Sequence, residues 1–325
     1  MRGAPERPTA PPEAAAAPAA PQRFRADRAA QGLRFDRWLE QCLPQLSRSR
    51  LQRLIKDGHI TLNGRAAKAH TPVRAGAEAA VALPPPAPPA VLPEPMPLDV
   101  LYEDEDVIVV NKPAGLVVHP AAGHAAGTLV NALLHRCGRL AGGGEQRRPG
   151  IVHRLDKDTS GALVAAKNDA AQAALTAQFK AGAVRKEYLA LVWGVPRPPA
   201  GRIETLIGRS RADRKKMSAR VRVGRRAVTH YELLESLGPC ALLRVRIETG
   251  RTHQIRVHLA HIGHPVVGDR QYGRRRPPAA ARQLLHAQRL TFAQPRSGRR
   301  IECAAPLPAD FAEALARLRA GGALP

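Results

Sequence analysis

Two helices are predicted near the start of the chain. The apolar residues of the first helix recur at roughly helical spacing: Leu33, Phe35, Trp38, Leu39 and Leu43. Pro44 interrupts this pattern, and Ser47 is a candidate N-cap for the second helix. The second helix ends at Gly58 and places three apolar residues on one face: Leu51, Leu54 and Ile55.

Short strands are predicted after these helices and through the rest of the chain. Residues 59–62 form a strand that ends at Asn63-Gly64, a strong hairpin-turn signal, and residues 77–83 supply a further strand. Apolar or alternating runs predict further strands at 100–102, 107–110, 163–166, 184–193, 227–234, 241–248 and 284–292. Helices are predicted after Gly127-Thr128, at 169–179, from a Thr252 cap to about 262, and at 310–319. This pattern predicts an α+β protein with a largely antiparallel sheet in its larger part.

Proline content predicts the domain boundaries. Residues 1–23 have the Pro/Ala-rich composition of a disordered tail, and residues 84–97 form a proline-rich, semi-rigid connector. We therefore predict a small domain at 24–83, a larger domain at 98–318 and a flexible C-terminus at 319–325.

Charge and cysteine content narrow the class of protein. The 325 residues include Lys+Arg 51 against Asp+Glu 27, and the formal net charge of +24 makes nucleic acid the leading partner. The cysteines lie far apart and form no CxxC pair, so a disulfide framework is not expected. No apolar run approaches the ~18 residues of a membrane span. We expect a cytoplasmic monomer without membrane contact.

Two segments concentrate basic side chains. The second helix carries Arg48, Arg50, Arg53 and Lys56, and no acidic residue before Asp57 balances them. The segment 209–226 is also strongly basic and includes Arg214, Lys215 and Lys216. A solvated charged surface is the ordinary explanation of such runs, but in so basic a chain we favour contacts with nucleic-acid phosphates.

The segment GIVHRLDKDTSGAL, residues 150–163, places charge between two apolar runs. Ile151-Val152 is predicted to end a buried strand, and Thr159-Ser160-Gly161 is a turn signal. The residues between them are His153, Arg154, Leu155, Asp156, Lys157 and Asp158. Burying such charge is costly unless it is paired or used. From these residues alone, a salt-bridged hairpin tip and a functional loop are both possible.

Two kinds of chemistry fit the titratable residues poorly. Four histidines crowd one region, His253, His258, His261 and His264, but their intervals do not match the i, i+4 pair of a zinc-binding HExxH helix. Asp156 and Asp158 would share a face, as a glycosidase-like pair needs, only in an extended segment, and a turn is predicted there. We therefore expect neither a metal nor another cofactor.

The motifs of the chain resemble two known families. The segment RFDRWLEQCLPQLSRSRLQRLIKDGHITLNG, with two helices and a hairpin, resembles the S4-type RNA-binding module. Four later segments resemble, in the same order, the motifs of RluA-type pseudouridine synthases: NKPAGLVVHP, HRLDKDTSG, RKEYLALV and GRTHQIRVHLAHIGHPVVGD. The two resemblances together cover the chain from about Leu33 to Leu318.

The second resemblance implies a covalent mechanism on RNA. In that family the aspartate of HRLD attacks the target uridine, at C6 of the base or C1′ of the ribose, so Asp156 is the expected nucleophile. Arg251, from GRTHQ, is expected beside this carboxylate, and Tyr188, from KEY, beside the base. Arg154 is expected to occupy the space of the extruded uridine. Lys112 is assigned to the RNA-binding residues, with a contact inside its own loop as the alternative.

The resemblance also implies the partner. It is closest to the branch of the family that acts on the large ribosomal subunit, so the implied partner is 23S rRNA or the pre-50S particle. The alternative is a non-catalytic S4-type assembly factor that only docks on rRNA. Phosphate contacts fit both functions because they set affinity and not sequence. Asp156 favours the enzyme, since phosphate binding has no use for a carboxylate.

Overall fold

The computed structural model describes residues 21–324, apart from 45, 47, 84–90, 122, 143–147, 211–212, 214–215 and 274–279. Three residues singled out in the sequence therefore lie outside the described residues: Ser47, Arg214 and Lys215. The backbone divides into two compact units, Met1–Ala87 and Pro88–Pro325.

The first unit packs two helices against a small antiparallel sheet. Its elements are β1 (Gln22–Arg25), α1 (Phe35–Cys42), α2 (Arg48–Lys56), β2 (Ile60–Leu62) and β3 (Glu78–Val81). β3 lies between β1 and β2. The apolar faces predicted for both helices form the core of this unit. Asn63 and Gly64 have positive φ angles of 52° and 71°, which confirms the predicted turn.

A buried carboxylate joins the two helices of the first unit. Asp36, in the first turn of α1, is fully buried and accepts hydrogen bonds from three side chains: Arg34, Arg48 and Gln52. Burial opposes the charge of Asp36, but these donors outweigh it and hold its pKa well below the usual value. Arg48, predicted as an RNA contact, therefore has a structural partner that its sequence neighbourhood did not indicate.

Described residues inside three of the predicted flexible segments belong to the compact units. β1 begins at Gln22, inside the predicted tail, because its backbone pairs with β3. Val91 is buried in the core of the second unit, and the Asn131 side chain donates to Leu92 O, so the described end of the predicted connector belongs to that unit. Leu324 packs against a core cluster of the same unit, beyond the predicted boundary at 319.

The second unit is built on one large sheet. In the described part of the chain its strands are β4 (Val100–Glu103), β5 (Val107–Lys112), β6 (Ser160–Ala166), β7 (Arg185–Trp193), β8 (Ala200–Arg209), β9 (Met217–Ser218), β10 (Arg225–Leu237), β11 (Cys240–Ile247), β12 (Leu285–Ala293) and β13 (Arg300–Ala304). They lie in the order β4-β5-β6-β12-β7-β11-β10-β8-β9, and β13 pairs with β12. Neighbouring strands are antiparallel except β6 and β12, so the predicted fold class is confirmed.

Four described helices accompany this sheet: α3 (Leu129–Cys137), α4 (Asp169–Ala181), α5 (Gln254–His261) and α6 (Ala309–Arg319). Thr128 and Asn131 form a capping box at the start of α3, and Asn168 caps α4 through Ala171 N. None of the helices in the described ranges is long and apolar enough to cross a membrane.

Three local features differ from the sequence analysis. β8 was not predicted, because its two buried isoleucines, Ile203 and Ile207, lie four positions apart with the polar Thr205 between them on the same face, which weakens the strand period. Ile151 makes only an isolated bridge to Ala165 and does not end a strand. α5 has no Thr252 cap, since its N-cap is His253 in a left-handed conformation, with φ 56°.

Candidate active site

Asp156 lies on a turn that leads directly into β6. Thr159 N donates to Asp156 O at 3.1 Å and closes the turn. The predicted turn at 159–161 is instead the start of β6, where Gly161 has φ 115° and a Cβ would lie 2.2 Å from Ala287 O. Glycine is required there because β6 approaches β12 so closely. The nucleophile candidate is therefore held at the edge of a tightly packed strand pair.

The buried side chain of Lys112 holds this turn from inside the protein and does not reach solvent. Its side chain is fully buried, and Nζ donates to the carbonyl oxygens of Pro113, Leu116 and Lys157 at 2.7, 3.0 and 2.9 Å. Burial lowers the pKa of Lys112 to about 7, against the opposing charge of Asp158. The prediction that Lys112 contacts RNA is corrected. The alternative, a contact inside its own loop, describes its position, and Lys157 O is a further acceptor from the turn that carries Asp156.

The guanidinium that contacts Asp156 belongs to Arg256, in the first turns of α5. Arg256 Nη1 donates to Asp156 Oδ2 at 3.0 Å, while Nε and Nη2 donate to Asp269 at 2.7 and 3.0 Å. Burial opposes the charge of Arg256, but the hydrogen bonds and charges of the two carboxylates outweigh it and raise its pKa above the usual value. This arrangement keeps Asp156 beside a permanent positive charge.

Arg251 occupies a different position from the one predicted. Its Nε donates to Arg226 O at 3.0 Å, and its side chain lies on the segment between β11 and α5. The expectation of an Arg251–Asp156 pair is corrected, because α5 carries Arg256 towards the carboxylate while Arg251 precedes the helix. Burial, and then the charge of Arg225, lower the pKa of Arg251.

His253 approaches Asp156 from the other side. Its Nδ1 lies 2.9 Å from the Tyr272 hydroxyl, which accepts a hydrogen bond from Met217 N at 3.0 Å. The Tyr272 proton is thus free for Nδ1, which assigns the proton of the neutral ring to Nε2. Nε2 lies 4.0 Å from Asp156 Oδ1. Burial lowers the pKa of His253 despite the opposing charge of Asp156.

Tyr188 lies on β7 and is buried beside the same carboxylate. Its hydroxyl makes no hydrogen bond to any residue that the structure describes. Burial, and then the charge of Asp156, raise the pKa of Tyr188, so the phenol keeps its proton at neutral pH. The hydroxyl is available to a ligand in the pocket.

These side chains line a single pocket of about 870 Å³. Asp156, Tyr188, Arg251, His253 and Arg256 all contribute to its wall. Arg154, predicted to fill the space of a flipped base, also lines it and is exposed. The structure thus brings the predicted catalytic residues to one place, with Arg256 and His253 as members that the sequence did not single out for contact with Asp156.

Three of the four crowded histidines have separate hydrogen-bond partners among the described residues. His253 contacts Tyr272, His258 bonds the hydroxyls of Thr229 and Thr205, and His264 Nδ1 lies 3.0 Å from Trp193 O. Among the residues that the structure describes, no cluster of three or more His, Cys, Asp or Glu side chains could hold a metal ion.

The predicted RNA contacts on α2 and in the basic segment differ in exposure. Arg53 and Lys56 are exposed, and Arg50 is half-buried. Lys216 Nζ donates to Gln271 O at 2.9 Å and lies 4.0 Å from Asp213 Oδ2.

Comparison with known proteins places this site in a family. Residues 106–261 match the RNA pseudouridylate synthase family model, and residues 33–78 match the S4 domain. An uncharacterized RNA pseudouridine synthase of Bacillus subtilis is 46% identical over 289 residues, which cover 89% of this chain and 95% of the relative. The chain belongs to the RNA pseudouridine synthase family.

Further relatives agree with this assignment. The ribosomal large subunit pseudouridine synthase D of Xylella fastidiosa is 44% identical and covers 91% of this chain, which in turn covers 92% of that protein. The solved structure of human RNA Pseudouridylate Synthase Domain Containing 1 superposes with a TM-score of 0.53 at 29% identity, over 71% of this chain and 99% of that chain. The resemblances to an S4 module and to a pseudouridine synthase are therefore confirmed, and the chain is an RNA pseudouridine synthase.

Proposed function

We propose that this RNA pseudouridine synthase modifies uridines of 23S rRNA, free or in the pre-50S particle, with Asp156 as its nucleophile. The observation that carries the proposal is the Asp156–Arg256 ion pair inside the pocket. Relatives named ribosomal large subunit pseudouridine synthase D, from Xylella fastidiosa and Zymomonas mobilis, support the choice of rRNA. We take the protein to act as a cytoplasmic monomer that needs no cofactor.

The reaction begins with extrusion of the target uridine, because a base cannot be attacked inside a stack. Arg154, at the exposed side of the pocket, occupies the space that the base leaves. Flipping costs a few kcal/mol, which contacts in the pocket and along the RNA backbone offset. Arg50, Arg53 and Lys56 on α2 supply part of these phosphate contacts, together with the basic segment that contains Arg214, Lys215 and Lys216.

The carboxylate of Asp156 then attacks the nucleotide at C1′ or at C6. With attack at C1′, the bond from C1′ to N1 breaks as the ester bond forms, and N1 keeps the electron pair. The uracil turns, C5 bonds to C1′, and the ester oxygen leaves as the carboxylate. C5 loses one proton and N1 gains one, so the composition of the base is unchanged. Attack at C6 gives the same product and the same proton balance.

The neighbours of Asp156 divide the work of this reaction. Arg256 binds Oδ2 and orients the carboxylate, so Oδ1 is the oxygen free to attack. Tyr188 presents its hydroxyl to the base and assists the transfer of the C5 proton. The base displaces water when it binds in the pocket, and the exclusion of water strengthens each of these interactions.

The test is the variant Asp156→Asn, with Asp158→Asn as the matched control on the same turn. We expect Asp156→Asn to bind in-vitro-transcribed, unmodified 23S rRNA nearly as well as the wild type and to release no tritium from 5-labelled uridine. Asp158→Asn should retain activity. Full tritium release by Asp156→Asn would falsify the mechanism. Tight rRNA binding without product from the wild type would favour the non-catalytic assembly factor.

A further inference from the structure

Lys186, two residues before Tyr188 on β7, has no counter-charge among the residues that the structure describes. Lys186 is 9% exposed and its Nζ lies 5.8 Å from the centroid of the Phe179 ring. In the described part of the chain, no carboxylate or carbonyl oxygen accepts a hydrogen bond from this ammonium. Because an isolated buried charge costs several kcal/mol, its position needs an explanation.

The side chains packed beside Lys186 do not compensate its charge. Phe179 stacks on His153 with 4.7 Å between ring centroids, and His153 Nε2 accepts a hydrogen bond from Val164 N. Burial, and then the charge of Lys186, lower the pKa of His153 to about 3, so the imidazole is neutral. On this side the ammonium therefore faces neutral aromatic rings, and the cation–π contact with Phe179 supplies no counter-charge.

A second cation faces the same part of the pocket. Arg251 lines the pocket with Lys186, and the two are close enough that the charge of Arg251 lowers the pKa of Lys186, after the larger effect of burial. Arg251 uses Nε to bond Arg226 O, and within the described chain its two terminal nitrogens have no acceptor. Two like charges thus converge on one space.

The carboxylates of the pocket are already paired. Among the described residues of its wall these are Asp156, which binds Arg256, and Glu248, which lies 2.8 Å from His230 Nε2. Neither contacts Lys186 or Arg251. The two cations can therefore bind an anion from outside the protein in the space between them.

We propose that Lys186 and Arg251 bind a backbone phosphate of the RNA next to the uridine that Asp156 attacks. This inference rests on the proposed function and assigns a contact that fixes the position of the RNA at the site. Lys186 and Tyr188 lie on the same face of β7, and their backbone positions are ~6.6 Å apart along the strand. The phosphate site is therefore beside the base site and does not overlap it. Phosphate contacts of this kind fix the position of a nucleic acid and carry no sequence information.

Salt dependence of binding tests the phosphate contact. Each lost contact with single-stranded RNA should reduce the slope of log Kobs against log salt by about 0.7. We would measure this slope with unmodified 23S rRNA transcript in an Asp156→Asn background, so that turnover does not interfere. Lys186→Met and Arg251→Met should each reduce the slope by about 0.7 and weaken binding, whereas Lys186→Arg should restore the slope.

The matched control removes a charge that already has a partner. Arg319→Met loses the bidentate pair of Arg319 on α6 with Glu235 on β10, and it should leave the slope unchanged. Thermal melting checks that each variant is folded. An unchanged slope in folded Lys186→Met or Arg251→Met overturns the proposal. The same substitutions in the chain that keeps Asp156 give kcat and KM, and a loss of kcat with no change in KM or in the slope also overturns it. Because the slope is measured on binding, an inactive wild type would contradict the proposed function and leave the phosphate test intact.

Discussion

Asp269 holds Arg256 in a bidentate pair, with Oδ2 2.7 Å from Nε and Oδ1 3.0 Å from Nη2. Asp269 is itself fixed, since its Oδ1 accepts the backbone N–H groups of Gln271 and Tyr272 at 2.9 and 3.1 Å. The rigid fork of the guanidinium then leaves Nη1 as the donor to Asp156. Asp269 is therefore a positioning residue that acts on the nucleophile through Arg256.

Asp269→Asn should lower kcat and stability together. The change removes one partner of a buried ion pair, which typically costs about 3–5 kcal/mol, and it lets Arg256 turn away from Asp156. Single-turnover tritium release and urea denaturation measure the two effects, while KM for the rRNA should change little. Glu235→Gln, which breaks the exposed bidentate pair with Arg319, is the control and should leave kcat unchanged. A fully active Asp269→Asn would show that Asp156 needs no fixed guanidinium.

Tyr188→Phe isolates the hydroxyl from the ring. The ring still packs against the base, so KM should stay near the wild-type value, but kcat should fall by about 10²–10⁴, the usual contribution of a proton-transfer group. Because burial raises the pKa of Tyr188, the rate should show no titration of a phenolate near neutral pH. The control is Tyr231→Phe, whose hydroxyl donates to Pro198 O away from Asp156. Equal kcat values for the two variants would remove Tyr188 from the chemistry.

Motif order was enough to direct attention to Asp156 and Tyr188, which both line the pocket. Tyr188 is the only tyrosine of its motif, and Asp156, unlike Asp158, directly follows the residues HRL of its motif. Motif order could not distinguish Arg251 from Arg256, since both are arginines of one motif and only the path of α5 decides which reaches Asp156. Burial does not separate one side of α5 from another either, since residues 254–259 are buried all round. One signal in the sequence could have pointed to Arg256: Asp269 is an acidic residue of the same motif without another evident partner.

The same limit applies to Lys112 and Arg48. A basic residue in a charged chain reads as an RNA contact, and sequence does not reveal that three carbonyl oxygens surround Lys112 Nζ or that Asp36 lies under Arg48. These contacts depend on distant segments meeting, such as the 112–116 turn with Lys157. Domain order and strand content were predictable, by contrast, because they follow from local periodicity.

Lys112→Met should destabilise the second unit without changing RNA contacts. The change leaves three buried carbonyl oxygens without their donor, at about 1–3 kcal/mol for each one that finds no other partner. The turn that carries Asp156 also loses an anchor, so kcat should fall. Urea denaturation, kcat and the salt slope of rRNA binding are the measurements, and the slope should equal that of the wild type. Lys157→Met, an exposed neighbour on the turn, should keep normal stability. A smaller salt slope for Lys112→Met would return Lys112 to the RNA-binding residues.

Buried neutral histidines should make the protein less stable in acid. His258 is fully buried between Thr229 and Thr205, and burial lowers its pKa to about 4 from 6.5. Above pH 6.5 neither state binds the proton, whereas between 6.5 and 4 the unfolded state binds it and the folded state does not. As the pH decreases from 6.5 to 4, protonation of this one residue in the unfolded state should therefore lower the free energy of unfolding by about 1.4 kcal/mol per pH unit.

His258→Gln tests this dependence, because glutamine can still bond both threonine hydroxyls and does not titrate. Between pH 5 and 6, urea denaturation of the variant should give a slope of unfolding free energy against pH that is smaller than the wild-type slope by about 1.4 kcal/mol per pH unit. The exposed His135→Gln on α3 serves as the control and should keep the wild-type slope. If His258→Gln also has the wild-type slope, the imidazole of His258 takes up a proton as readily in the folded state as in the unfolded chain. Burial of His258 would then not contribute to the loss of stability in acid.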